Sequence, residues 1–165
     1  MVAWVIFIGL CVEAGAMLVN LIVSIYNPQF IQHLYQKLDL SAIYHQSKWN
    51  FFCIYSFVIV LSVLKAYLFY IVIRLLQRMD LSKPFNNFTS EQITKLSYFT
   101  FFIGILGYLA RHLTQSLWHH GYSIDQLNQY WTDSQAFILT SAIIYIIGTI
   151  FAKGVELQNE NDLTV

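Results

Sequence analysis

Two residues carry opposite charge inside long apolar runs, and they are the first candidates for chemistry. Glu13 stands in the run Val2–Ile25, which is otherwise broken only by Asn20 and Ser24. Lys65 stands in the run Phe51–Leu76, whose other charge is Arg74. On helices rising about 1.5 Å per residue, each lies about 16 Å from the boundary at which the first run begins and the second ends. That is near the middle of a bilayer core about 30 Å thick. An unpaired charge there costs about 3 kcal/mol on insertion scales. Adjacent antiparallel helices bring the two to one depth, so the spacing predicts an intramembrane ion pair between Glu13 and Lys65. Such a pair either fixes helix register or acts as a proton- or ligand-responsive switch.

Other reactive side chains are thinly spread. His112 and His119 are two helical turns apart, His120 is adjacent, and Asp125 and Asp133 follow in the same connection. Zinc sites place ligands at i and i+4 or in close clusters, and no HExxH occurs, so no metal site is assigned. His33 and His45 read as interfacial residues. No nucleophile elbow, phosphate-cradling loop, dinucleotide fingerprint or pair of carboxylates at catalytic spacing is present. The expectation is a non-catalytic protein with no catalytic residues and no cofactor. Cys11 and Cys53 fall at different depths and should not bridge.

Composition says what must position these residues. Of 165 residues, 57% are hydrophobic and only 11% charged, with mean hydropathy +0.54. A soluble domain needs roughly a quarter of its residues charged, and nine basic residues against nine acidic give no field for direct binding of nucleic acid. The lipid bilayer is therefore the first partner. Four apolar stretches at about 2–25, 51–76, 94–117 and 135–152 are each long enough to span it. The predicted fold is all-α: a four-helix transmembrane bundle over residues 1–154, followed by a short acidic tail at 155–165. Ala14-Gly15-Ala16 has the look of a signal-peptidase site, but no Lys or Arg precedes the first run, and the run continues to Ile25. It reads as a retained anchor.

The connections carry start and stop signals. Asn27-Pro28 opens an amphipathic pattern through Phe30, Ile31, Leu34, Tyr35 and Leu38, and Ser123 with Gln126 opens a second through Leu127, Tyr130 and Trp131. Both predict short interfacial helices in the two longer connections, which could together form one small cap. Thr89 with Gln92 reads as a capping box for the third span, Gly121 as a C-cap at its far end, and Thr132 or Asp133 as the cap of the fourth. Trp49, Trp118 and Trp131 sit at span boundaries, as belt aromatics do. Asn20, Ser62, Thr100, Thr114 and Gln115 are candidates for bonds between helices. Gly104-x-x-Gly107 and Gly148-x-x-x-Ala152 offer small surfaces for close helix approach, within the chain or in a homodimer. Arg74, Arg78, Lys83, Lys95 and Lys153 on one side outnumber Lys37, Lys48 and Arg111 on the other, which predicts a cytoplasmic middle loop and cytoplasmic termini.

Two segments on the predicted cytoplasmic side look built for docking. Pro84 stops a helix and Phe85 brings an aromatic ring to the surface. The tail carries Glu156, Glu160 and Asp162 yet keeps Val155, Leu157, Leu163 and Val165, with Gln158 between them. The tail Phe151–Val165, the run Trp4–Leu10, Leu64-Lys65-Ala66-Tyr67 and the Pro84-Phe85 pair resemble domain-of-unknown-function family 2975, small bacterial membrane proteins with four helices. Members begin with a few more, often basic, residues before the first span. The resemblance implies a multi-pass place in a bacterial cytoplasmic (inner) membrane and little biochemistry, since the family has no established activity. By genomic association it implies a small cytosolic helix-turn-helix regulator as partner, with Pro84, Phe85, Glu156, Leu157, Gln158, Glu160, Asp162 and Leu163 as the docking surface. A small transporter or channel subunit using Glu13 and Lys65 is the second reading, and an outer-face metal-dependent membrane enzyme the third.

Overall fold

A computed structural model of the protein describes residues 2–27, 31, 40–79, 84–118, 127–131 and 133–163. The elements are α1 (Val2–Tyr26), α2 (Ser41–Gln46), α3 (Lys48–Arg78), α4 (Asn87–Trp118), α5 (Asn128–Trp131) and α6 (Ser134–Leu163). No strand occurs among the described residues. Four of the helices, α1, α3, α4 and α6, are long and apolar enough to cross a membrane, so the chain is an all-helical, multi-pass membrane protein.

The helices are longer than their apolar stretches because polar caps set their ends. Ser47 accepts from the Asn50 N–H at 3.4 Å to start α3. Asn86 Oδ1 accepts from the Thr89 N–H at 2.8 Å to start α4. The expected Thr89–Gln92 box is thus replaced by an asparagine cap three residues earlier, and Thr89 is buried within the first turn. The Asp133 carbonyl accepts from the Phe137 N–H at 3.0 Å at the start of α6, while Thr132, the other expected cap, lies outside the described residues. At its other end α6 continues without a break to Leu163, so most of the acidic tail is helix. The helix predicted over Phe30–Leu38, the Gly121 cap and the start predicted at Ser123 lie outside the described residues.

Consecutive spans pack in a row: α1 on α3, α3 on α4, and α4 on α6, the last pair most extensively. The two edge helices make no comparable contact with each other. Only 11% of the most apolar window of α1 and of α6 is buried within the protein, against 33% for α3 and 39% for α4. Rings mark the antiparallel register. Phe7 meets Tyr70 at 6.3 Å, Tyr67 meets Phe99 at 4.8 Å, and Phe85 meets Phe151 at 5.2 Å. Both termini therefore lie at one end of the molecule, the terminal end, and the two longer connections lie at the other, the cap end.

Glycines set the α4–α6 contact. A Cβ on Gly104 would stand 3.0 Å from Ile138 N and 3.1 Å from Ser134 O, and one on Gly107 would stand 3.0 Å from Ser134 Cβ. Gly148 is as tightly closed, 3.0 Å from Thr94 Oγ1. The small-residue faces are thus consumed within the chain. Most hydroxyls bond within their own helix rather than across. Thr100 donates to Leu96 O and Thr114 to Ala110 O, while Ser62 alone of the expected set reaches another helix, donating to Met17 Sδ at 3.4 Å.

At the cap end both connections feed one apolar cluster. Ile31, Leu40 and Ile43 from the first, and Leu127, Tyr130 and Trp131 from the second, pack with Phe51, Tyr55 and Val58 of α3 and Met17 of α1. Trp131 is 2% exposed, so it is a core residue and not a belt aromatic, whereas Trp49 is 82% exposed. Tyr55 Oη donates to the Met17 carbonyl at 3.1 Å and pins α1 to α3 inside this cluster. Cys11 and Cys53 are both free.

The glycine contact makes a direct prediction. Gly104→Ala, which forces a methyl group against the α6 backbone, should destabilise by about 1–3 kcal/mol. Gly9→Ala, whose Cβ meets nothing within 4 Å, should not. Thermal unfolding of the purified variants in detergent compares them.

Candidate functional site

Glu13 and Lys65 sit at a similar level of the α1–α3 pair. Glu13 lies between Phe7 and Met17, and Lys65 between their respective α3 neighbours Tyr70 and Ser62. They are nevertheless not partners. Ion pairs within 4.0 Å join Glu91 to Lys95 and Lys153 to Glu156, but not Glu13 to Lys65. Two geometric facts separate the expected pair. Lys65 is about 60° around α3 from Ser62, which faces α1. Side chains also lean toward the start of their own helix, so on antiparallel helices Glu13 leans to the terminal end and Lys65 to the cap end.

Lys65 turns instead toward α4 and α6. Its Nζ lies over the Phe137 ring, 5.9 Å from the centroid, a cation–π contact worth about 1 kcal/mol. Beyond the ring is a cavity of about 10 Å³ bordered by Lys65, Gly107, Tyr130, Trp131, Asp133 and Ser134. Trp131 and Ser134 are 2% and 3% exposed, and neither Trp131 Nε1 nor Ser134 Oγ has a hydrogen-bond partner in the protein. The sequence presents Asp133 as a helix cap or a remote metal-ligand candidate, and Trp131 as a belt aromatic in an interfacial pattern. A long lysine leaning toward its helix start was the available signal that its partners lie nearer the cap.

The second candidate is the terminal end. Phe85 packs against Phe151 and covers Gly154, where any Cβ would collide with its ring. Pro84 is half-buried beside it. A groove of about 590 Å³ runs from Tyr145 and Ile146 past Phe85 and Gly154 to Lys153 and Leu157. Leu157 is 62% exposed, Val155 is buried, and Lys153 Nζ meets Glu156 Oε2 at 2.6 Å. Gln158 is half-buried and Glu160 exposed on the same helical extension. The side chains of Asp162 and Leu163 lie outside the described residues. Arg74 and Arg78 both lie over Phe88 at 5.9 Å, so cations from α3 close this end over the first turn of α4.

No group of three or more His, Cys, Asp or Glu that could hold a metal occurs among the described residues. His112 is exposed, 6.4 Å from the Tyr108 ring, in a shallow pocket with Arg111, Gln115 and Gln135. His33, His119, His120 and Asp125 lie outside the described residues. No protein-family model, curated protein or solved structure matches the chain.

The Phe85–Gly154 contact predicts a reversal of sign. Gly154→Ala should destabilise the native chain by displacing the Phe85 ring. In a Phe85→Ala background the same change should be neutral or stabilising by up to about 1 kcal/mol, because alanine favours the helix. A double-mutant cycle followed by thermal unfolding measures it.

Proposed function

We propose that this chain is a non-catalytic regulatory protein of a bacterial cytoplasmic membrane, whose terminal end faces the cytosol and holds a small cytosolic protein. The observation that carries the reading is the rigid extension of α6. The helix runs 30 residues, about 45 Å, well beyond a bilayer core of about 30 Å. It thereby carries Glu156, Leu157 and Glu160 on a helical rod instead of a loose tail.

Three features support this reading. Arg74, Arg78, Lys95 and Lys153 gather at the terminal end, against Lys48 and Arg111 toward the cap end, the bias expected of a cytosolic face. Phe85 is held on Gly154 while 41% exposed, so an aromatic anchor is presented in a fixed position beside the groove. Leu157 and the acidic residues on the same extension offer an apolar contact ringed by negative charge, suited to a partner with a basic rim around an apolar patch. The helix-turn-helix regulator implied by the family resemblance is the partner we assign to this surface.

The test is co-purification from native membranes with tagged full-length protein and with a chain lacking Glu156–Val165. The full-length protein should retain a small helix-turn-helix protein identified by mass spectrometry. The truncated chain should insert normally and lose it. Equal recovery with both chains would overturn the assignment.

A further inference from the structure

We propose that the groove along the lipid-facing side of α6 binds one phospholipid of the leaflet at the terminal end, and that Lys153 and Glu156 select a headgroup carrying both a phosphate and a primary ammonium. The site goes beyond the docking of a soluble partner and does not depend on it. The groove, of about 590 Å³, starts at Tyr145 and Ile146, passes Ile150 and ends at Lys153 and Leu157, with the Phe85 ring as a side wall. Along the helix Tyr145 and Leu157 are about 18 Å apart, a little more than half of a bilayer core about 30 Å thick. The groove therefore covers the depth of one leaflet and opens at headgroup level.

Its chemistry changes along its length as that of a lipid does. Within the span the walls are apolar. Ile146 and Ile150 are each 59% exposed, and the Thr149 hydroxyl donates to the Tyr145 carbonyl at 3.0 Å, so its proton is already used. A water-soluble partner does not reach this depth, and the occupant there is hydrocarbon. A second groove, of about 250 Å³, is bounded by Tyr98, Phe101 and Ile138, shares Tyr145 with the first and extends the track toward the bilayer middle. Phe85 is held against Phe151 and Gly154, so its side of the groove is formed before any ligand arrives.

At the mouth the polar groups come in the order a zwitterionic headgroup requires. Lys153 Nζ donates to Glu156 Oε2 at 2.6 Å, and both side chains are largely exposed. Neither group is saturated, since an ammonium has three donors and a carboxylate about four acceptor sites. Glu156 stands about 4.5 Å further from the bilayer along the helix than Lys153. In an ethanolamine phospholipid the phosphate lies next to the glycerol and the ammonium lies beyond it on a two-carbon arm. Lys153 thus donates to the phosphate while Glu156 accepts from the ammonium. A glycerol headgroup supplies the phosphate but no cation for Glu156, and a choline headgroup has no N–H to donate.

Native mass spectrometry of the full-length protein in detergent tests the site, with phosphatidylethanolamine, phosphatidylcholine and phosphatidylglycerol of identical acyl chains as probes. The ethanolamine lipid should bind about tenfold more tightly than either of the others, the margin of one hydrogen bond between charged groups. Glu156→Gln should bring it down to the phosphatidylcholine level and leave phosphatidylcholine unchanged, whereas Lys153→Met should weaken all three. Ile150→Trp, which fills the groove, should abolish binding, and Val12→Trp, at a position 60% exposed on α1, should not. Should Ile150→Trp fail to accumulate, Ile146→Trp takes its place under the same criterion. Equal binding of the three headgroups, a preference that survives Glu156→Gln, or lipid retention unaffected by the groove-filling variant would overturn the proposal. So would a second copy of the chain in the groove, seen as a dimer that the groove-filling variant dissociates.

Discussion

The close approach of α4 and α6 is the contact on which the rest of the molecule depends. Gly104, Gly107 and Gly148 remove the side chains that would hold the two backbones apart. In lipid no hydrophobic force favours helix association, so dispersion between closely packed backbones has to supply it. Once those glycines are engaged, the register of α6 is fixed along its whole length. Ser134 is brought to the level of Gly107, and Gly154 is brought beneath Phe85. The small cavity beside Lys65 and the terminal groove are both products of this one register.

The row arrangement follows from the same economy of contacts. α3 and α4 have neighbours on two sides and carry the buried positions, while α1 is held by a single seam in which Ala14, Met17 and Ser24 are buried. Met17 does most of the holding. Its side chain is 1% exposed, its sulfur accepts from Ser62, and its carbonyl accepts from Tyr55. Glu13 lies just beside that seam, on the helix with the least protein around it. Its carboxyl therefore belongs to the edge of the molecule and not to an internal polar path with Lys65, which faces the other side of α3. The geometry removes the main support for reading those two residues as a conduction route.

Length and apolarity made the four spans legible, because a run of about 20 residues without polar faces has few folded alternatives. Depth was equally legible, since rise per residue is constant along a helix. Azimuth was not. Whether Lys65 meets Glu13 or the Phe137 ring depends on which neighbours α3 acquires, and its sequence is apolar nearly all round. The same ignorance misplaced Trp131. An aromatic at a span boundary looks the same on the page whether it faces lipid or a cap of folded connections. The helical tail was hidden for a different reason. Glu156, Gln158, Glu160 and Asp162 read as a solvated ending, yet glutamate and glutamine are strong helix formers and simply prolong a helix that the membrane has already nucleated.

That prolongation joins the two ends mechanically. The first turn of α6 borders the Lys65 cavity, and its last turns carry Leu157 and Glu160, with no break between them. A continuous helix transmits rotation and axial shift with little loss, because bending it costs backbone hydrogen bonds that lipid cannot replace. The glycine contacts leave α6 little room to rotate independently of α4, so the two must move as one unit against α3. Lys65, whose Nζ lies over the Phe137 ring, is the contact from the middle of α3 to that unit.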